Sequence, residues 1–450
     1  MDGKAPARHD LAHGLRRGKL LPLLYLGTAH ISLLLACLLA GLWPYSVAGF
    51  FYHSWMVALV HLVTIGWITF SILGAIYIVG PLALRMEMMP RRLDIVACAL
   101  GVTGLAGMIG HFWIQEYGGM AWSAGMVVIG VSYTTARIAG GISGAAVHPA
   151  VKVHILLACL NFWIAASMGL LIAVDKAAPF LPGFVLANVF AHAHLAALGW
   201  ATLMVMGVGY RLLPMILPAK MPAGRSTYAS AAVFEIGVLG LFASLLVQSN
   251  WALAFAIVIV AGLALFAGHV IWMLRHPAPK PAGMPRPDFA VLHAAGAGAS
   301  LLAAAAIGLL ILTAAPSTRM LQAAAAYGVL GLVGFLAQMV VAMEARLLPM
   351  AAWFWTYAAT GHEVSPPSPH TMRDRILQSI VFAAWTLGVP ALAAGIFLES
   401  GRLVAVGAWS LFAGVAIGTL DSGLVVGSAL RAGRRNGDVR TIPRSQAAAS

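Results

Sequence analysis

The chain has 450 residues, 61% of them hydrophobic and only 9% charged. A soluble domain carries about 25% charged residues, so a soluble fold is excluded and a polytopic membrane protein is expected. The formal net charge of +13 would point to nucleic acid in a soluble chain; here the placement of the charges gives a topological reason for it, and nucleic acid is not an expected partner.

A basic N-terminus, residues 1–19, leads into the first of twelve apolar runs. Runs of about 20 apolar residues between polar or Pro/Gly-rich breaks predict transmembrane helices. They fall at 20–42, 51–84, 93–116, 120–146, 151–174, 184–217, 226–248, 251–275, 289–313, 319–353, 374–398 and 403–431. The second, sixth and tenth are longer than one bilayer crossing requires, so they tilt or project. A basic tail, 432–450, follows. The Pro-rich stretches 276–288 and 361–373 read as linkers. With both ends on one side, only Lys176, Arg319 and Arg402 of the 27 basic residues lie on the other. That bias makes the basic side cytoplasmic, next to anionic lipid. A cell inner membrane is the expected location.

Cys37, Cys98 and Cys159 lie in apolar runs with no CxxC, which argues against a disulfide framework or a zinc site. The lipoprotein-like "LLAC" ending at Cys37 recurs ending at Cys159, so it is not a specific lipidation signal. No P-loop, GxSxG, HExxH, Rossmann or c-type haem CxxCH pattern occurs.

The sixth run repeats the second. At a constant offset His61 matches His194, Gly66–Trp67 match Gly199–Trp200, and Gly74, Tyr77 and Pro81 match Gly207, Tyr210 and Pro214. The tenth run is a weaker third copy. Gly334–Phe335 stand at the Gly–Trp position, "RLLPM" at 346–350 repeats 211–215, and Val329 occupies the histidine position. The expected architecture is therefore all-α, twelve transmembrane helices in three pseudo-repeats of four, about 20–146, 151–275 and 289–431. The glycines have a plain reading as close helix packing; the histidines do not.

An ionisable side chain inside a span is costly unless paired or ligated. His61 and His194 each lie about ten residues into a span entered from the same side, about 15 Å deep at 1.5 Å per residue. Two neutral imidazoles at one depth suit the axial positions of a haem iron. The small residues Gly66, Ala196, Ala197 and Gly199 leave room for a flat macrocycle. His192 is turned about 200° from His194 on a helix, which makes it a candidate for a second haem or a metal. The plainer alternative is a core histidine tied to a carbonyl.

Twelve helices in three units, a second-helix histidine and "HxHxxxxGW" in the sixth resemble the catalytic subunit I of the haem-copper oxidase superfamily. The cbb3-type oxidases and nitric oxide reductases are the nearest in flavour. The resemblance covers the whole membrane core, but its specific motifs lie in the second and sixth helices. It implies a low-spin haem on His61 and His194 and a high-spin haem on His192. The pattern also departs from the family. There HxH lies on the tenth helix, which here has no histidine. The family's copper site takes one histidine from the sixth helix and a pair from the seventh, and the seventh has none here. The expectation is thus a b-type haem protein in electron transfer or O2/NO chemistry, with one haem and a candidate second, and without a standard copper or non-haem iron site. A cytochrome or quinol donor and partner subunits would accompany it. Two alternatives stand: a terminal oxidase or nitric oxide reductase subunit with relocated ligands, and a non-catalytic transporter or sensor on the same scaffold.

Other intramembrane polar residues have weaker readings. Glu235 divides evenly between a functional and a structural role. Glu344 is expected to pair with Arg346 or Arg211 near the cytoplasmic end. His111 is a propionate contact. His30, His154 and His269 are structural. His148, His276, His293, His362 and His370 lie in or beside loops and need no special role. Met204, Met206, Met339 and Met343 are packing residues.

Overall fold

The structure, a computed structural model, describes residues 8–281, 283–359 and 363–439. Residues 1–7, 282, 360–362 and 440–450 lie outside it, and with them the far ends of the basic segments 1–19 and 432–450, and His362. Among the described residues every regular element is a helix.

Among the described residues twelve helices are long and apolar enough to cross a membrane, close to the predicted boundaries. They are α1 (Gly18–Leu42), α2 (Ser54–Leu82), α3 (Arg92–Ile114), α4 (Tyr117–Gly144), α5 (Pro149–Ala177), α6 (Val185–Ile216), α7 (Ser226–Leu246), α8 (Ala252–Arg275), α9 (Phe289–Thr313), α10 (Thr318–Ala359), α11 (Arg375–Phe397) and α12 (Gly401–Arg431). The α10 span has 42 residues, about 63 Å at 1.5 Å per residue. That is about twice the hydrocarbon thickness, so its ends project. An even number of crossings returns the chain to the side where α1 begins, here called the entry face.

Few charges are present, and several are used to end helices. Asp288, Asp374 and Glu116 accept backbone N–H groups at the starts of α9, α11 and α4. Asp94 caps α3 through Arg91 N at 2.6 Å and also binds Arg137 Nη1 of α4 at 3.0 Å. Each satisfies donors that a helix start leaves unpaired. At the opposite face Trp43, Trp55 and Trp113 cluster, with Trp55 and Trp113 stacked at 4.8 Å. Amphipathic rings of this kind favour the membrane–water interface. All three cysteines are buried and free.

The centre is built by α2, α6 and α10. In α2, 83% of the most apolar stretch is buried, against 11% in α9 at the periphery. Each central helix widens into a π-helical stretch, at Leu62–Thr69, Leu195–Thr202 and Leu330–Ala337. Each stretch begins one residue after His61, His194 or Val329. The three stretches touch one another pairwise. Inside each, the glycine lies against a small or polar residue of the preceding odd helix: Gly66 on Ser32 of α1, Gly199 on Asn161 of α5 and Gly334 on Ser300 of α9. A Cβ at Gly199 would come within 2.8 Å of Asn161, and one at Gly334 within 2.7 Å of Ser300, so only glycine allows this approach. Further along, Pro81, Pro214 and Pro349 interrupt the hydrogen-bond ladder of all three helices, as proline must.

The buried indoles tie the centre together. Trp67 Nε1 of α2 donates to Ala337 O of α10 at 3.2 Å, and Trp200 Nε1 of α6 donates to Thr69 Oγ1 of α2 at 3.1 Å. Ala337 and Thr69 occupy the same position relative to Val329 and His61. The third member, Phe335, has no N–H to donate.

Candidate functional site: open histidines on the central helices

His61 and His194 end the α-helical parts of α2 and α6, immediately before the π-helical stretches. His61 lies seven residues past Ser54 and His194 nine past Val185, about 10 Å and 14 Å along their helices at 1.5 Å per residue. Their depth is similar, as the repeat offsets require.

Their hydrogen bonding is alike. His61 Nδ1 is 2.8 Å from Val57 O, and His194 Nδ1 is 2.7 Å from Phe190 O, each four residues back. A carbonyl only accepts, so Nδ1 carries the proton and a neutral ring presents its lone pair at Nε2. His192 behaves in the same way through Ala165 O of α5, at 2.9 Å. Gly169 of α5 makes space for its ring, since a Cβ there would come within 2.7 Å of His192 Cε1. None of the three Nε2 atoms has a hydrogen-bond partner among the described residues, and all three side chains are half-buried, not sealed. Aromatic rings fix two of the planes: Phe112 of α3 stacks on His61 at 5.6 Å, and Tyr327 of α10 stacks on His194 at 5.8 Å.

The three histidines occupy two seams of the central trio. His61 and His192 lie within electrostatic reach of each other across α2 and α6. His194 faces Tyr327 across α6 and α10. Tyr327 stands two residues before Val329, as His192 stands two before His194. Each seam thus pairs a histidine with the position two before its counterpart on the next helix. Among the described residues no three His, Cys, Asp or Glu side chains converge on one point.

Other expectations are placed or corrected. Glu344 does not pair with Arg346 or Arg211. Arg346 binds Asp288 and His370, and Arg211 Nε donates to Ala83 O at 2.9 Å. Glu344 lies beside His30 of α1, at 3.2 Å. His293, beside the 276–288 loop, is buried in the first turns of α9, 3.4 Å from Gln338. His111 bonds its own Gly107 O at 2.6 Å and stands 3.5 Å from Glu116. His154 and His269 belong to a buried network with Tyr210, Ser230 and Ser226, at 2.8 to 3.3 Å. Glu235 accepts from Asn161 Nδ2 at 2.8 Å, leaving its own Oε1 and Asn161 Oδ1 unpaired.

Asn161 and Tyr327 were missed from sequence. Tyr327 was findable, because the third copy puts it at the His192 position. Asn161 was not, because its partner positions on α1 and α9 are serines and no offset marks it.

No protein-family model matches the chain, and no characterised protein shows significant similarity to it.

Proposed function

We propose that the chain is a b-type haem-binding membrane protein of the haem-copper oxidase subunit I type, acting in electron transfer or O2/NO chemistry without a standard copper site. The observation that carries this reading is the pair His61 and His194. They stand at equivalent positions, each with Nδ1 held by an i−4 carbonyl and Nε2 left without a partner at the mouth of a π-helical stretch. A hydrogen bond at Nδ1 fixes the tautomer and raises the basicity of the ligating nitrogen. π-Helical turns are frequent at functional sites.

In this reading His61 and His194, which face different seams, would be the haem-holding residues, and His192, on the same seam as His61, would serve a second haem. The bound haem would supply one-electron and diatomic-gas chemistry. The chain's own residues would set its surroundings. Phe112 and Tyr327 hold the imidazole planes, Gly169 admits the His192 ring, and the small residues Gly66 and Gly199 bring α1 and α5 against the central helices. The three-repeat organisation is part of the proposal. It is supported by the matching π-helical stretches, the matching glycine contacts and the cyclic Trp67 and Trp200 bonds. The positive-inside bias supports a cytoplasmic entry face in a cell inner membrane. Membrane lipid, a cytochrome or quinol donor and partner subunits complete the reading.

A second reading, a transporter or sensor on this scaffold, draws on one observation: a largely apolar cavity between α1, α2 and α9 to α12 with His30, Glu344 and Arg373 in its wall. A reduced-minus-oxidised optical spectrum of the purified protein, with haem and metals counted per chain, separates the two. The haem reading expects a sharp low-spin b-type signal. A colourless protein from haem-replete cells would overturn it.

A further inference from the structure

A cavity of about 50 Å³ lies between α1, α2, α9, α10, α11 and α12, room for a few water molecules. His30, Trp67, His293, Glu344, Arg373 and Asp421 line it. It stands apart from the three histidines of the candidate site.

Donor and acceptor accounting at His30 is unusually restrictive. Thr419 Oγ1 gives its only proton to Val415 O, 2.7 Å away. The same oxygen is 2.8 Å from His30 Nδ1, so it accepts there and Nδ1 is the donor. His30 Nε2 then faces Glu344 Oε2 at 3.2 Å. A neutral His30 would present a lone pair to an ionised carboxylate, two acceptors in contact. Neither His30 Nε2 nor Glu344 Oε1 has a hydrogen-bond partner to relieve this. The contact becomes attractive once one proton lies on the pair, either on Nε2 or on the carboxyl.

Among the described residues no other cation is paired with the Glu344 carboxylate. Arg373, just before α11, is the nearest cation. Its Nη1 binds Asp421 of α12 at 2.6 Å, and its Nη2 binds Glu344 O and Ser422 Oγ at 3.1 and 3.2 Å. Its charge is therefore matched by Asp421, not by the Glu344 carboxylate. His293 of α9 is engaged by Gln338, α2 offers only Trp67, and Arg346 is turned to Asp288 and His370. A buried carboxylate without a counter-charge is costly, and here the proton removes that cost.

We propose that His30 and Glu344 form a proton-binding site inside the membrane, which holds one exchangeable proton received from entry-face water through the cavity bordered by Arg373, Asp421 and Ser422. In loading, a hydronium ion arriving through the cavity water breaks one O–H bond, leaves its proton on the pair and departs as water; unloading is the reverse. His30 also packs edge-on against Trp67, at 5.1 Å between ring centres. Trp67 is the indole that joins α2 to α10, so the protonated pair sits directly against the central trio. The proposal does not depend on haem binding.

The test uses the full chain in lipid nanodiscs near neutral pH. Infrared spectra of wild type and Glu344→Gln, and nitrogen NMR of histidine-labelled wild type and His30→Gln, locate the proton. The expected result is a carboxylic-acid band lost in Glu344→Gln, or an imidazolium signal lost in His30→Gln, with the surviving band or signal shifting on exchange into D2O. A neutral His30 beside an ionised Glu344 in wild type would overturn the site. A signal that never exchanges would overturn the route. The wild-type spectra decide the matter even if a variant fails to fold.

Discussion

His61 and His194 on one side, and His154 on the other, begin alike and end differently. All three bond Nδ1 to the carbonyl four residues back, at 2.7 to 2.8 Å. His154 then meets Ser230 Oγ at 3.3 Å, inside a network that continues through Tyr210 to His269 and Ser226. It is fully buried, with both nitrogens partnered. The other two leave Nε2 without a hydrogen-bond partner among the described residues. The Nδ1 bond therefore says little about function, because it is simply what a histidine on a helix does with its nearest acceptor. The state of Nε2 separates a core histidine from a ligand candidate.

The largest expected effect breaks the open side of this comparison. His61→Ala and His194→Ala should each abolish bound low-spin haem, read as haem per chain, while the protein still elutes as a folded species. His154→Ala should do the reverse. It should retain the haem signal but lower stability by about 3 kcal/mol, because it empties a packed site and strips a partner from Ser230; thermal denaturation in detergent checks this. Gly199→Ala pushes a methyl into Asn161 and should cost about 2 kcal/mol, with the haem signal shifted or weakened since α5 moves against α6. Trp200→Phe removes only the bond to Thr69 and should cost about 1 kcal/mol. The smallest effect lies in the loop before α11. Burial, and then Arg346, lower the pKa of His370, while Asp288 opposes them. The folded state thus binds fewer protons there than the unfolded one. The stabilisation is full above the ordinary histidine pKa of about 6.5 and is lost as pH falls below it. Proteolysis of the 363–374 loop should accelerate over that interval in wild type and not in His370→Gln.

Much of the architecture was legible because hydropathy and helix length are set by the bilayer, and the predicted runs match the apolar spans to within a few residues, although the first and last helices extend further, from Arg8 and to Val439. The exception at α10 is instructive. Its apolar pattern ends near Trp353, but the helix continues to Ala359 because nothing in the sequence there stops it. The short helix Pro44–Ala48 was not foreseen, although Pro44 is a favoured first helical residue. At the matched offsets of α2 and α6 the structure has a π-helical stretch and a glycine packed on a small or polar residue. The π-helical stretches were not legible, because one extra residue per turn leaves no mark on an apolar run. Partner choice was the weakest inference. The sequence suggests Arg346 or Arg211, near the cytoplasmic end, as partner of Glu344, whereas α1 brings His30 from 314 positions away. Asp288, distant in sequence, takes Arg346 instead. Long-range pairing depends on which helices touch, and composition does not encode that.

The most direct test of the central claim is electron paramagnetic resonance of the oxidised, purified protein, comparing wild type with His194→Ala and His154→Ala. The account predicts a bis-histidine low-spin ferric signal in wild type and in His154→Ala, lost or converted to high spin in His194→Ala. A haem signal unchanged by His194→Ala, or lost equally in His154→Ala, would contradict it.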